Sequence, residues 1–463
     1  MTADHMSQNG QCPDIPPSPV PVIIPATDHP IKVHDIDGEA LKVLYRLRDA
    51  GFAGYLVGGG VRDLYLGQRP KDFDISTNAR PGQLRKLFRN SRTIGRRFRL
   101  VQVFFRGGKI IEVSTLRSRS EYDINDIDKV LPSNNTFGTL PEDAFRRDLT
   151  INSLFYEIEN NTIIDYVGGV KDLDQGIIRI VGEPDRRVTR DPVRIMRVVR
   201  HAARNGFRIE EQSWQAIVRH RHKLDLCPPS RIRDELLRDL RSGKSEPWTR
   251  TVLTSRIFTT ILPFYAEILD GARGRQRQQE LLALTRVLDR LHGQSSDDYR
   301  IEVPDYMLFT TLLVPWAEER FDLLQQRLHG PSHHILSREI RAELDSLFSE
   351  RFNIKRLDKE AMTTLLVNLP IFESHQQKKT WPKWLRGKSY FADCSRFYGL
   401  FVEAAGGPAV DAGLFAAQPR QLRHEAADFD GKDSGHGRRA KGRRGGRPAF
   451  SNRGKGVFGF RNG

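Results

Sequence analysis

The spacing of hydrophobic residues changes along the chain, and the change predicts two structural regions. Residues 35–50 repeat apolar positions at helical spacing. Short apolar runs then alternate with polar turns at residues 55–57, 73–75, 101–105 and 110–113. Such runs are typical of strands in a small mixed sheet. A second strand and turn unit is expected at residues 162–180, and nearly every segment after Asp191 has helical periodicity.

The predicted fold class is therefore α+β, with a mixed α/β head followed by an all-helical remainder. Residues 117–143 show little pattern, and we expect them to form a mobile loop in the head. Proline-rich composition at the N-terminus and Gly/Arg-rich composition at the C-terminus predict disorder. The expected divisions are a disordered segment at 1–32, the head at 33–182, a helical neck at 183–245, a helical body at 246–417 and a disordered tail at 418–463.

The excess of positive charge is concentrated at one end of the chain. The formal net charge is +16, and the isoelectric point is about 9.8. Residues 431–463 contain ten Lys and Arg against one Asp, so this segment carries +9 of the total. A basic tail on a mildly basic globular part favours a polyanionic partner.

Cysteine usage and hydropathy indicate the compartment. Cys12, Cys227 and Cys394 are far apart, odd in number and without metal-ligand spacing, which favours a reducing environment. No apolar run approaches the roughly 18 residues that span a bilayer. Residues 1–30 lack the basic segment and apolar core of a secretory signal. We therefore expect a cytoplasmic protein with no membrane partner.

Two features of the head point to nucleotide chemistry. Gly58, Gly59 and Gly60 follow an apolar strand, where glycine lets the backbone approach a phosphate at a helix N-terminus. Asp72 and Asp74 lie two positions apart on the next predicted strand, so both carboxylates should point the same way. Like charges this close require a cation, and Mg²⁺ is usually held by one or two carboxylates plus substrate phosphates.

A third carboxylate strengthens the prediction of a metal site. Glu112 stands between Ile111 and Val113 on a later apolar strand, and a half-buried acid needs a partner. Three acids on neighbouring strands could hold two metal ions around a nucleoside triphosphate. The purely structural alternatives are a tight turn for the glycines and a solvated strand end for the two aspartates.

The order of these motifs resembles a known enzyme family. The glycine turn, the Asp-x-Asp pair and the isolated acidic strand resemble the nucleotidyltransferase superfamily typified by DNA polymerase β. Three later motifs are RRDLTIN at 146–152, DYVGGVKDL at 165–173 and DPVRIMR at 191–197. They are similar to the successive motifs of class II tRNA CCA-adding enzymes and bacterial poly(A) polymerases. The resemblance covers roughly residues 35–240.

The resemblance implies a role for each motif residue. Asp72 and Asp74 would bind two catalytic Mg²⁺ ions, with support from Glu112, and ATP would be the substrate. Asp148 would complete the catalytic acids and accept a hydrogen bond from the ribose 2′-OH, while Arg147 would contact triphosphate or ribose. The nucleotide-binding residues would be Gly58, Gly59, Arg62, Arg147, Asp148, Asp191, Arg194 and Arg197.

The third motif would read the base in place of a template strand. Asp191, Arg194 and Arg197 are spaced i, i+3 and i+6, so they would share one helical face and offer an acceptor and donors to a base edge. Simple helix capping by Asp191 is the alternative, because Pro192 suits the first helical position. The family usually has Glu where this chain has Arg190, which leaves the base selectivity open.

Two basic segments indicate the branch of the family. Residues 93–103, TIGRRFRLVQV, and residues 228–237 are similar to segments characteristic of bacterial poly(A) polymerases. Arginine binds phosphates and phenylalanine stacks on bases. The RNA-binding residues would be Arg96, Arg97, Arg99, Arg438, Arg439, Arg443 and Arg444. The alternatives are ion pairs between the head arginines and acids of the head, and a solvated tail without a role.

The resemblance thus implies a monomeric, template-independent poly(A) polymerase that adds AMP from ATP to RNA 3′ ends. A tRNA CCA-, CC- or A-adding enzyme shares every head motif and is the nearest alternative. A non-catalytic RNA-binding protein on the same fold is a third hypothesis. The intact acids argue against it, because a scaffold has no need of a costly carboxylate cluster.

Overall fold

The period-two segments form one mixed sheet in a computed structural model, which describes residues 19–95, 99–118, 137–295, 300–376 and 381–416. The strands are β1 (Val22–Ile24), β2 (Gly54–Val57), β3 (Asp74–Thr77), β4 (Ser91–Ile94), β5 (Leu100–Phe104), β6 (Ile110–Thr115), β7 (Leu154–Glu157) and β8 (Thr162–Asp165). Their order across the sheet is β1-β8-β7-β2-β3-β6-β5-β4. The neighbours β3 and β6 run parallel, and the other neighbouring pairs run antiparallel.

Short helices connect these strands and pack against the sheet. They are α1 (Gly38–Asp49), α2 (Gly59–Tyr65), α3 (Pro81–Leu87), α4 (Leu140–Phe145), α5 (Gly169–Asp174) and α6 (Pro184–Arg190). Helix α1 begins where Asp37 caps it, since the Asp37 carboxylate accepts from the backbone N–H groups of Glu39 and Ala40 at 2.9 and 3.3 Å. The apolar face of α1, including Val43 and Leu47, is buried against the sheet.

The remainder of the described chain is helical apart from one short parallel pair, β9 (Ile177–Ile178) and β10 (Arg208–Ile209). The helices are α7 (Arg194–Asn205), α8 (Glu211–His220), α9 (Pro229–Leu240), α10 (Ser245–Thr254), α11 (Ile257–Ile261), α12 (Ala266–Asp270), α13 (Gly274–Gly293), α14 (Asp305–Phe321), α15 (Gly330–Leu347), α16 (Arg356–Gln376), α17 (Lys383–Arg386) and α18 (Phe391–Ala404). Among the described residues, no helix is long and apolar enough to cross a membrane.

Helix α7 links the head to the helical part. It packs against β9 and β10 on one side and against α9 and α10 on the other. Its Ile195, Met196, Val198 and Val199 are fully buried, because the apolar residues repeat at helical spacing. This packing fixes the polar residues of α7 relative to the sheet.

The α+β fold class is confirmed, but two predictions within it are wrong. Disorder was predicted through residue 32, yet Val22–Ile24 forms β1 at the sheet edge, paired with β8, and Ile31 is buried. An edge strand tolerates the flanking prolines that suggested disorder. The predicted loop at 117–143 ends earlier than expected, because α4 begins at Leu140 behind a capping box of Thr139 and Glu142. Residues 1–18 and 119–136 lie outside the described residues, and the predicted neck and body boundaries stay predictions.

Candidate active site

The glycine turn connects β2 to α2 and needs glycine at its first position. Gly58 has φ +67° and ψ −130°, a conformation that side chains disfavour. A Cβ at Gly58 would lie 3.4 Å from the Arg147 guanidinium, and one at Gly59 would lie 3.5 Å from that of Arg62. Both predicted glycines therefore lie against an arginine side chain.

Arg62 is the more buried of these two arginines, at 2% exposure. Its Nε and Nη2 donate to Asp63 Oδ1 at 2.9 and 2.6 Å, and its Nη1 donates to Asn152 Oδ1 at 2.6 Å. The ring of His201 lies 3.3 Å from the same Nη1. In this structure Arg62 contacts protein groups and fixes α2 against α7, and its contact with a nucleotide stays a prediction.

The acidic residues lie beside this turn at the start of β3. Asp74 is the first residue of β3 and pairs in register with Glu112 on the parallel strand β6. Both the Asp74 side chain and Asp72 are open to solvent. Parallel pairing thus places two carboxylates on adjacent strands, with a third two residues upstream.

The electrostatics show that the three acids act on one another. Crowding by protein atoms, and then the negative charges of Glu112 and Asp72, raise the pKa of Asp74 to about 6, although Arg147 partly opposes the rise. Water reaches the Asp74 side chain, but the protein atoms around its carboxylate displace part of its hydration. None of the three acids forms an ion pair with a described residue, so their negative charge is free to attract a cation.

The predicted cage of three carboxylates is not formed. Asp72 precedes β3 instead of lying on it, so the period-two argument does not apply to this residue. Gln102 on β5 donates to Glu112 Oε1 at 3.0 Å, which keeps that carboxylate beside β5. Within the described residues, no three His, Cys, Asp or Glu side chains could hold a metal ion together. Asp72 and Asp74 stay the candidate ligands, and the support of the metal by Glu112 also stays a prediction.

Arg147 is a cation whose charge acts on Asp74, and protein groups hold its guanidinium in place. Its Nε and Nη2 donate to Asp143 Oδ2 at 3.2 and 2.9 Å, and its Nη1 donates to the Asn152 carbonyl at 3.2 Å. Its Nη2 also lies 3.4 Å from Ser76 Oγ on β3. Asp143 is fully buried, and Arg147 and Arg146 lower its pKa against the opposing effect of burial.

The base-reading residues predicted on the neck meet at the start of α7. Asp191 precedes the helix, so it does not share a helical face with Arg194 and does not cap α7, whose N-cap is Val193. Instead its carboxylate lies 3.8 Å from Arg194 Nε and 2.8 Å from Arg231 Nη1 of α9. Arg194 and Arg197 both lie on α7, as the spacing predicted.

Arg197 connects the head to α9. Its Nη1 lies 3.5 Å from Asp148 Oδ2, and its Nη2 lies 3.3 Å from Glu235 Oε1. Burial alone would raise the pKa of Asp148, but the positive charges of Arg197 and Arg194 hold that pKa below its usual range. Asp148 is therefore an ionised acceptor at the junction of head and neck.

Sequence reasoning missed the residues that orient the predicted ones. Asp143, Asn152, His201, Arg231 and Glu235 make the contacts described above, and the sequence prediction gave none of them a role in the site. The sequence did contain a local signal for Asp143, because this residue stands between the Thr139 capping box and the pair Arg146 and Arg147. Arg231 and Glu235 lie in the 228–237 segment that suggested the family branch, but its link to Asp191 depends on helix packing.

The predicted RNA-binding residues fall mostly outside the described part of the chain. Arg99 is described, lies just before β5 and is exposed. The remaining predicted residues lie outside the described part of the chain, and they are Arg96, Arg97, Arg438, Arg439, Arg443 and Arg444. Their roles stay predictions.

Comparison with known proteins decides the family. A family model described as "Poly A polymerase head domain" matches residues 54–179, and one described as "Probable RNA and SrmB- binding site of polymerase A" matches residues 206–269. The chain is 45% identical to Poly(A) polymerase I of Escherichia coli O6:H1 over 327 residues, which is 68% of each chain. The chain belongs to the poly(A) polymerase family. The predicted family and the prediction of an RNA nucleotidyltransferase are thereby confirmed.

Other curated relatives are also similar to this chain. Poly(A) polymerase I of Salmonella typhi is 46% identical over 66% of each chain, whereas the CCA-adding enzyme of Bacillus subtilis is 34% identical over 49% of this chain and 56% of its own. Among solved structures, a CCA-adding enzyme with ATP aligns at a TM-score of 0.54 and 18% identity over 81% of this chain and 83% of its own. That similarity shows the shared fold alone.

Proposed function

We propose that this poly(A) polymerase family member adds AMP from ATP to RNA 3′ ends without a template. The observation that carries the proposal is the 45% identity to Poly(A) polymerase I over the 327 aligned residues. In the reaction, the RNA 3′-hydroxyl gives up its proton to water, and its oxygen bonds to the α-phosphorus of ATP. The bond from that phosphorus to the bridging oxygen breaks, and pyrophosphate leaves with the electron pair.

Asp72 and Asp74 are the proposed ligands of Mg²⁺, with ATP phosphates completing the coordination. The residues present fit such an ion, because burial and the negative charges of Glu112 and Asp72 raise the pKa of Asp74, and none of the three acids forms an ion pair with a described residue. A bound divalent ion supplies charge stabilisation to the entering and leaving oxygens. The number of ions, predicted from the sequence as two, is part of the proposal.

Arg147 and the glycine turn are proposed to receive the triphosphate. The turn offers backbone N–H groups at the start of α2, and Gly58 leaves room beside the Arg147 guanidinium. Asp143 fixes Arg147 before the substrate arrives, so little reorganisation accompanies binding. Catalysis would therefore rest on positioning and on charge stabilisation.

The neck residues are proposed to recognise the ribose and the base. Asp148 is an ionised acceptor that can receive a hydrogen bond from the ribose 2′-OH. Asp191, Arg194 and Arg197 would present an acceptor and donors to the base edge. The ion pairs of Asp191 with Arg231 and of Arg197 with Glu235 restrict the conformations of these side chains. A fixed set of donors and acceptors favours recognition of a single base.

Product length distinguishes this function from CCA addition. Purified protein is incubated with each nucleoside triphosphate and either a tRNA lacking its terminus or an unrelated oligoribonucleotide. Long tracts of A on both substrates support the proposal. Addition of one to three nucleotides on the tRNA alone would assign the chain to the CCA-, CC- or A-adding enzymes. RNA binding without any addition would favour a non-catalytic protein.

RNA 3′ ends as substrate, a monomeric state and a cytoplasmic location complete the proposed function. RNA as substrate is supported by the match of residues 206–269 to a family model described as an RNA-binding site. The basic tail supports the same substrate, since ten cations against one acid attract a polyanion. Sedimentation of the purified protein tests the monomeric state.

A further inference from the structure

A basic cavity lies at the C-terminal ends of β3 and β6, whereas Asp72 and Asp74 lie at the N-terminal end of β3. Its volume is about 570 Å³, within the range of ligand-binding sites. Its lining includes Lys86 of α3, Arg80 immediately before α3, and Thr115 at the end of β6. Arg117 and Phe137 close another side of the cavity.

The described lining residues of this cavity carry charge of one sign. Arg80, Lys86, Arg99 and Arg117 line it, and no carboxylate is found among its described lining residues. Burial, and then the charge of neighbouring Arg146, lower the pKa of Arg117 to about 10. An excess of cations in a concave site attracts an anion more strongly than the same charges on a flat surface.

The cavity also presents an aromatic surface. Phe137 is 44% exposed, and the Arg80 guanidinium carbon lies 5.4 Å from the centre of its ring. An antiparallel bridge between Arg117 and Phe137 fixes the ring, and the Gly138 N–H donates to the Leu116 carbonyl at 3.0 Å. An exposed ring among cations suits a nucleobase attached to phosphates.

The wall of this cavity is connected to the active site. The Arg117 backbone N–H donates to Asp143 Oδ1 at 3.3 Å, and the other oxygen of Asp143 holds Arg147. Thr115 is three residues beyond Glu112 on β6, which corresponds to about 10 Å along a strand. A stacked nucleic acid strand covers that distance in about three nucleotides at 3.4 Å each.

We propose that this cavity binds one nucleotide of the single-stranded RNA substrate, about three positions upstream of the reacting 3′ end. Lys86 and Arg99 contact the two phosphates that flank this nucleotide, and its base stacks on Phe137. The inference rests on the proposed function, since it requires an RNA whose 3′ end is at the aspartates. It assigns the cavity to RNA and excludes ATP as its occupant.

The test compares full-length variants with a matched control. Lys86→Ala/Arg99→Ala removes two phosphate contacts, and Phe137→Ala removes the stacking surface. Lys171→Ala is the control, because Lys171 is also an exposed lysine on a head helix but does not line the cavity. Dissociation constants are measured for ATP and for oligoribonucleotides of two and twelve nucleotides, over a range of salt concentrations. Circular dichroism verifies folding.

The proposal predicts effects that depend on RNA length. Phe137→Ala weakens binding of the twelve-nucleotide RNA about tenfold without changing its salt dependence. The double variant weakens it by a similar factor and makes the logarithmic salt slope shallower by about 1.4, since each phosphate contributes about 0.7. Binding of ATP and of the two-nucleotide RNA matches the wild-type and control values.

Two outcomes would overturn the proposal. Unchanged binding of the longer RNA by folded variants would show that the cavity does not contact RNA. Weakened binding of ATP would make the cavity part of the triphosphate site. Failure of the proposed function is a separate result, because it would appear as no AMP addition by the wild-type protein in the same preparation.

Discussion

At the scale of single residues, the site depends on which carboxylates are paired with cations. Asp143 is buried between Arg146 and Arg147, and Asp191 is paired with Arg231. Asp74 has no such partner among the described residues and lies near Glu112. The paired carboxylates orient arginines, whereas acids without a described cationic partner, such as Asp74, are suited to an exogenous cation.

The first prediction is that ionised Asp74 lowers the free energy of unfolding of the metal-free protein. Its pKa is about 6 in the folded chain against an ordinary value of 3.8, so folding opposes its ionisation. This penalty is absent below pH 3.8, grows as pH rises, and is complete above pH 6. The difference corresponds to about 3 kcal/mol, and solvent screening at this exposed side chain leaves about 1 kcal/mol.

Asp74→Asn should therefore stabilise the metal-free protein by about 1 kcal/mol at pH 8 and by less at pH 5. Urea unfolding at both pH values measures the change. Asp49→Asn, on an exposed position of α1, is the control and should show no such pH dependence. Equal stability of Asp74→Asn and the wild type at pH 8 would contradict the electrostatic account of the site.

At the scale of elements, the sequence predicted those segments whose pattern is local. The strands β2, β5 and β6 and helix α1 were predicted within a few residues, because alternation and helical spacing are properties of short windows. The prediction placed Asp72 and Asp74 on one strand, but β3 begins at Asp74, so Asp72 lies before it. Helix α4 was missed although its capping box was visible in the sequence.

The motif at 165–173 illustrates a pattern whose purpose is structural. Asp165 accepts from the backbone N–H groups of Val167 and Gly168 at 3.0 and 2.9 Å. A Cβ at Gly169 would lie 2.3 Å from the Thr150 carbonyl oxygen, so only glycine allows α5 to approach that turn. The turn at Thr150 leads to Asn152, which binds Arg62 and Arg147. The motif thus holds the turn that positions Asn152 beside the two arginines.

The second prediction concerns the contact between α7 and α9. Glu235 is buried and accepts from Arg197 and Arg200. Glu235→Gln removes the charge while keeping the shape, and we expect a loss of about 2 kcal/mol in the free energy of unfolding. Freed from this partner, Arg197 should read the base less strictly, so the ratio of kcat/KM for ATP over CTP should fall.

The control for Glu235 is Arg238→Gln on the same helix. Arg238 also pairs with Glu235, but its side chain is 64% exposed, so its removal should change stability by less than about 1 kcal/mol. Chemical unfolding and single-nucleotide addition are measured for both variants. If Glu235→Gln keeps wild-type stability and the wild-type preference for ATP, the α7–α9 contact does not set selectivity.

At the scale of the whole molecule, the network that joins head and neck could not be predicted. Arg62 binds Asn152 and His201 across 90 and 139 positions of the chain. Arg197 likewise reaches Glu235 across 38 positions. No local pattern encodes such pairs, because they depend on how α7 packs between the sheet and α9. The sequence supplied candidate residues for the site, whose roles stay predictions, but not the partners that orient them.

The third prediction concerns the charge of the C-terminal tail. Residues 431–463 carry +9 of the net charge of +16, so their deletion should weaken binding of single-stranded RNA. The logarithmic dependence on salt should become shallower by about 0.7 for each phosphate that the tail neutralises. Titrations at several salt concentrations measure both effects. An unchanged slope would mean that the tail does not contact RNA.

The most direct test of the central claim is nucleotide addition by the double variant Asp72→Asn/Asp74→Asn. Removing both proposed metal ligands should abolish several kcal/mol of transition-state stabilisation, so AMP addition to an oligoribonucleotide should fall at least about 10³-fold. Because neither residue lines the basic cavity, the dissociation constant for RNA should stay within about twofold of the wild type. AMP addition at the wild-type rate by the folded double variant would contradict the assignment of the active site.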